Sequence, residues 1–183
     1  MKQKLLHSFV LRVCLLVAMF AGAISGAWAD SYTVTFKTGS GDGSSITAGT
    51  TVCSDIVSAG SSYLSGTVAT ATKANYNGSG GMKLGTSSAA GTIKLNLASK
   101  VTPTSIIVNA KLYNSSKDVS LQVNGKTAQS LKSDFADYTF TSFSEISYIQ
   151  IDATKYCWIN SITVNYTGGS TLTASDLALT GAP

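Results

Sequence analysis

Between residues 31 and 166 the apolar side chains of this chain fall at alternate positions, in short runs separated by turn residues. Residues 31–37 (SYTVTFK) set Tyr32, Val34 and Phe36 on one face and Thr33 and Thr35 on the other. Residues 92–97 repeat the pattern with Ile93, Leu95 and Leu97, and residues 104–112 with Ile106, Val108, Ala110 and Leu112. A period of two is the signature of a strand with one buried face. Further strands are expected over residues 66–74, 81–84, 119–123, 127–131, 146–151 and 156–166, with Tyr138 and Phe140 marking another. Asn124-Gly125, between two of these runs, is the strongest hairpin signal, because both residues tolerate positive φ.

Nine or ten short strands at regular spacing call for an antiparallel sandwich or barrel. No helical segment alternates with them, which argues against a parallel α/β fold. Residues 51–59 (TVCSDIVSA) are expected to make a short helical turn, and residues 38–45 and 75–81 (NYNGSGG) to be glycine-rich loops. In the last strand Trp158 shares parity with Ile162, Val164 and Tyr166, which places it in the core; Cys157 and Ile159 take the other parity, so the start of the strand is expected to be covered on both faces.

Residues 1–29 read as a secretory signal peptide. Lys2, Lys4 and Arg12 form the positive end, residues 13–24 (VCLLVAMFAGAI) the apolar run, and Ala27-Trp28-Ala29 the cleavage site. The apolar run falls short of the roughly 20 residues that a membrane span needs, so no span is expected in the mature chain. Cys14 leaves with the leader. The β-module is then residues 30–167. Gly168-Gly169-Ser170 reads as a linker, and residues 172–179 (LTASDLAL) as the start of a further C-terminal domain, the alternative being a final edge strand. The expected location is secreted, periplasmic or cell-surface.

His7 and Arg12 are the only His and Arg, and both lie in the leader. Three of the 13 basic residues lie there too, leaving ten scattered lysines against nine acids. That balance, without arginine, gives no electrostatic footprint for nucleic acid. Without His there is no Ser-His-Asp triad. Glu145 is the only Glu, and the Asp residues fall mostly in turns, so catalysis by paired carboxylates is not expected either. No cofactor is expected, with one structural exception: Asp118, Asp134, Asp137 and Asp152 are candidates to meet at a sandwich end and hold Ca²⁺. Cys53 and Cys157 either pair as a disulfide or stay as buried thiols. With two Cys, no His and no CxxC spacing, they make no transition-metal site.

Residues 81–88 (GMKLGTSS), the hairpin 121–126 (LQVNGK) and the closing residues 152–164 (DATKYCWINSITV) resemble β-sandwich modules of large secreted Bacteroidetes proteins. The tail 175–183 (SDLALTGAP) looks like the start of the neighbour that such modules precede. The resemblance implies an all-β, antiparallel two-sheet sandwich of jelly-roll type. It also implies a non-catalytic accessory module that binds carbohydrate at its loops, with a glycan as partner. The alternative is a structural spacer or adhesin module with no small-molecule ligand.

Flat rings are the usual platform for the C–H face of a sugar. Tyr76, beside Asn77 in a glycine-rich loop, and Tyr113, at a turn with Lys111 nearby, are the exposed candidates. Trp158 completes the set, although its parity favours the core.

Overall fold

The computed structural model describes residues 29–114 and 118–167. The leader up to Trp28, the linker and the expected start of a following domain at 168–183 lie outside these described residues. Ala29–Thr167 belong to one compact unit.

The strands in chain order are β1 (Ala29–Phe36), β2 (Ser44–Ser45), β3 (Val57–Ala59), β4 (Thr70–Thr72), β5 (Ala74–Gly78), β6 (Gly81–Leu84) and β7 (Gly91–Val101). They continue as β8 (Pro103–Leu112), β9 (Ser120–Val123), β10 (Gln129–Ser130), β11 (Ala136–Thr141), β12 (Ile146–Ala153) and β13 (Cys157–Thr167). The helical turn expected near 51–59 is α1 (Cys53–Ile56), and β3 takes up the rest of that segment. A 3₁₀ turn follows at Ser61–Tyr63.

One sheet has eight strands, ordered β11-β8-β13-β6-β5-β2, with β1 on β13 and β3 on β1. The other has five, ordered β10-β9-β12-β7-β4. From β6 onward the chain crosses repeatedly between them: β6, β8, β11 and β13 build the first sheet, and β7, β9, β10 and β12 the second. This interleaving of eight antiparallel strands is a jelly roll. The core lies between the sheets, with Phe36, Met82, Leu84, Ile106, Val108 and Ile162 facing Ile93, Leu95, Leu121, Ile149 and Ile151. Asn124 (φ 46°) and Gly125 (φ 72°) make the expected turn after β9, closed by the Lys126 N–H on the Val123 carbonyl (2.9 Å), and residues 126–128 complete the connection to β10. Asn124 also ties this hairpin to β12, accepting from the Gln150 N–H (2.6 Å) and donating to the Tyr148 carbonyl (3.0 Å).

Two expectations change. Residues 74–78 are a strand, not a loop: β5 pairs with β6 on one side and with β2 on the other. Tyr76 is therefore half-buried and packed on the core instead of standing in an exposed loop. Trp158 is not in the core between the sheets. On β8, Ile159 pairs with Ala110 but Ser161 pairs with Asn109, so Asn160 is an extra residue, a β-bulge. The bulge reverses parity: Cys157 and Ile159 face inward before it, Ile162 and Val164 after it, and Trp158 is turned to the outer face.

Two side-chain groupings that the sequence leaves open are also decided. Cys53 and Cys157 are free, buried thiols, not a disulfide. Cys53 lies on α1 against the Ser65 carbonyl, whereas Cys157 pairs with Leu84 on β6 and Leu112 on β8. The four-aspartate grouping is not formed either; among the described residues no three His, Cys, Asp or Glu side chains come together. Asp137 on β11 accepts from Asn109 (2.6 Å), while Asp152 lies on β12 in the other sheet and accepts from Thr92 (2.7 Å).

Burial pushes the Cys157 thiol up to about 12 and raises that of Cys53 as well. Both are poor nucleophiles in the folded chain, since the thiolate is the reactive form. In the folded protein at pH 8, Cys157 is expected to resist iodoacetamide. In the denatured, unreduced protein, Cys53 and Cys157 should each take one label, read by peptide mass. Recovery of a peptide pair linked through these two cysteines would contradict the free-thiol assignment.

Candidate functional site

The outer face of the eight-stranded sheet carries an aromatic group built on Trp158, Tyr113 and Tyr156. Register sets its base. Trp158 on β13 lies between Lys83 on β6 and Lys111 on β8, and Lys83 pairs in turn with Asn75 on β5. All four residues alternate with inward-facing neighbours, so the row points outward.

Although on an outer face, Trp158 is only 5% exposed. The β5–β6 turn covers it, and only glycine fits there. A Cβ on Gly80 would lie 2.5 Å from the indole Cγ, and one on Gly78 would collide with the far edge of the ring. The glycines of the 75–81 segment thus allow backbone to lie directly on the indole. Tyr113, just beyond β8, stacks on the indole at 5.3 Å between centroids and 21° between planes. Tyr156 closes on Tyr113 at 4.5 Å and 58°, and its hydroxyl accepts from the Asn114 amide (2.7 Å).

A second loop locks the group. The Gly39 N–H donates to the Gly78 carbonyl (3.0 Å), and the Ser79 N–H to the Gly41 carbonyl (3.0 Å). Asp42, directly after Gly41, is thereby carried over the sheet. One of its carboxylate oxygens accepts from Lys83 Nζ (2.5 Å) and the other from the Tyr113 hydroxyl (2.7 Å). Lys83 Nζ also lies 5.2 Å from the Tyr113 ring centroid. Tyr113 is held by a ring stack and a charged hydrogen bond, yet remains 36% exposed. On the other side of the row, Lys111 Nζ lies 4.7 Å from the centroid of Phe135, which is 41% exposed. Two exposed rings, two ammonium groups and a carboxylate therefore share one surface.

The hydrogen bond from Lys83 holds the Asp42 carboxyl below its usual range, helped by that from Tyr113. The same bond to Asp42, followed by burial, raises the Tyr113 hydroxyl. A lowered acid contributes above its unfolded value, near 3.9 for Asp, and that contribution is lost as pH falls through the lower folded value. A raised phenol contributes below about 10 and loses its contribution as pH climbs through the higher folded value. The Asp42–Tyr113 bond is therefore intact throughout the neutral range. Because Asp42 is largely solvated, its role is to orient Tyr113 more than to add stability.

Of the residues singled out from sequence, Lys111, Tyr113 and Trp158 come together. Tyr76 faces the core, and Asn77 turns at φ 60° against Gly39, apart from the rings. Asp42, Lys83, Tyr156 and Phe135 join them without any local pattern that marks them for this site. Asp42 meets Tyr113 across 71 positions, a contact that no local pattern encodes. The glycines at 78, 80 and 81 were the available signal, since they mark a place where backbone approaches another group closely.

No family model matches the chain, and no curated protein matches it. Two solved structures share part of its trace. A family two carbohydrate esterase from Cellvibrio japonicus aligns at 8% identity with a TM-score of 0.41, covering 76% of this chain and 34% of the esterase. This chain thus spans about a third of that protein. A mutant of a family 29 carbohydrate-binding module aligns at 12% identity with a TM-score of 0.43, covering 74% of this chain and 86% of the module.

Two substitutions test the arrangement. Gly80→Ala should destabilise the fold by about 1–3 kcal/mol through overpacking and shift Trp158 emission to the red. Unchanged stability and emission would mean that the turn does not lie on the indole. Asp42→Asn should lower the Tyr113 phenol toward its ordinary value in a spectrophotometric titration, whereas an unchanged titration would mean that the two side chains do not meet.

Proposed function

We propose that this chain is a non-catalytic accessory module of a secreted protein, and that it binds a neutral glycan on the outer face around Tyr113. The observation that carries this reading is the fixed presentation of Tyr113, exposed but pinned by Trp158 beneath it and by Asp42 at its hydroxyl. A pyranose has an apolar C–H face and a polar rim. An aromatic ring takes the first, and Asp42, Lys83, Lys111 and Asn114 around it supply acceptors and donors for the second. Because the ring is pinned before any ligand arrives, little side-chain entropy is lost on binding. The charges of both signs are interspersed, which favours a neutral saccharide over a strongly anionic one.

The non-catalytic part of the proposal rests on residue supply. Among the described residues there is no His or Arg, Asp42 is committed to Lys83 and Tyr113, and Glu145 pairs with Lys100 at 3.2 Å. Secretion rests on the leader sequence. Among the described residues no helix is long and apolar enough to cross a membrane.

Affinity electrophoresis through gels containing neutral β-glucans, mannans and xylans is the direct test. At least one polysaccharide should retard the protein, and Tyr113→Ala should weaken that retardation by about tenfold in Kd, the loss of one aromatic stack. Uniform free migration would overturn the proposal and favour a spacer module, whereas retardation indifferent to Tyr113→Ala would overturn the outer face as the binding surface and place the glycan elsewhere.

A further inference from the structure

We infer that a second saccharide-binding cleft, separate from the Tyr113 face, is formed by Tyr32, Tyr63 and Tyr166. It takes its ligand class from the function proposed above, but no residue of that face. Tyr166 lies eight positions along β13 from Trp158, a strand distance on the order of 25 Å.

The cleft has a cavity volume of about 380 Å³ and is walled by the three tyrosines with Ser62, Ala98, Ser99 and Val101. That volume is at the lower end of the roughly 300–1,000 Å³ typical of small-molecule sites, and it suits one or two sugar rings. Tyr63 stacks on Tyr32 at 4.2 Å with planes 10° apart, and Tyr166 meets Tyr32 at 5.9 Å and 57°. The rings thus form a flat wall and a tilted one. The 3₁₀ turn that carries Tyr63 is anchored by Gly60 (φ 78°), where a Cβ would strike the Thr33 carbonyl on β1. Tyr63 is consequently fixed in position although 43% exposed.

The three hydroxyls, like those of Tyr76 and Tyr148 elsewhere in the fold, are not spent on the protein. Tyr113, Tyr138 and Tyr156 all engage their hydroxyls with protein partners. Those of Tyr32, Tyr63 and Tyr166 have none among the described residues. No buried side-chain polar atom in the described residues lacks a partner, so these hydroxyls stay open to solvent through the cleft. Ser62 and Ser99 add two more hydroxyls, and no charged side chain lines the cavity. Neutral hydroxyls set among aromatic faces match a neutral pyranose, which brings hydroxyls of its own and an apolar face. An aliphatic ligand would leave the hydroxyls unused, and an ionic ligand would find no counter-charge.

The test is fluorine NMR of the full protein labelled with 3-fluorotyrosine, titrated with cellobiose, mannobiose, xylobiose and lactose. Tyr63 and Tyr166 resonances, assigned by substitution, should shift saturably with at least one disaccharide. The shifts should persist in Tyr113→Ala, weaken several-fold in Tyr63→Phe, and fall by about tenfold in affinity in Tyr63→Ala. Tyr63 is exposed enough for its truncation to leave the core intact, and the remaining resonances report whether the fold is kept. If none of the sugars moves the Tyr63 and Tyr166 signals, the cleft is overturned even where polysaccharide gels still retard the protein through Tyr113. Loss of the shifts in Tyr113→Ala would overturn its independence. Shifts at Tyr63 alongside retardation indifferent to Tyr113→Ala would support the cleft and defeat the outer-face proposal.

Discussion

The last strand has to satisfy two incompatible alternations. Cys157 and Ile159 occupy odd positions, Ile162 and Val164 even ones, and all four belong to the core. A regular strand would bury one pair and put the other in water, at a cost of roughly 1.5–3 kcal/mol for each large apolar side chain exposed. The extra residue at Asn160 removes the conflict by shifting the register by one between Ile159 and Ser161. Because β13 is central in its sheet and is bonded to β1, β6 and β8, that single shift sets which side chains of all these strands face each other.

Trp158 is the residue that the bulge displaces. Turned outward, a large apolar ring needs cover, and the chain supplies it from three distant segments: the glycine turn between β5 and β6, the loop around Asp42, and Tyr113 after β8. The cover is what presents a ring to solvent, since Tyr113 stacks on the indole and is held there through its hydroxyl. A packing problem inside the sheet and an ordered aromatic surface outside it therefore have the same origin. The tyrosine cleft arises differently, where the chain between α1 and β4 folds over β1 and lays Tyr63 on Tyr32.

Where the pattern was strictly local, the sequence was readable. The alternations around Ile93, Ile106 and Leu121 became β7, β8 and β9, and Asn124-Gly125 made its turn because two successive positive φ values suit few other pairs. The two-residue β2 and three-residue β3 are too short to show any period and exist through pairing with β5 and β1. Residues 74–78 carry loop-like Asn and Gly, yet they pair on both edges; tertiary contact overrode composition. The bulge was legible only as a parity clash between Ile159 and Ile162. Reading Trp158 across that clash sent it to the wrong face. Of the site itself, Lys111, Tyr113 and Trp158 were visible because they are close in strand register, whereas Asp42 and Lys83 reach Tyr113 through contacts that sequence spacing does not encode.

The most direct measurement is the indole Nε1–H resonance of Trp158 in a ¹H–¹⁵N spectrum, followed while the protein is titrated with soluble fragments of the glycan that retards it. With the ligand lying on Tyr113, directly above the indole, this resonance should move saturably and with the affinity seen in the gels. Saturable binding that leaves the Trp158 signal unmoved while other residues shift would contradict the outer face as the ligand surface.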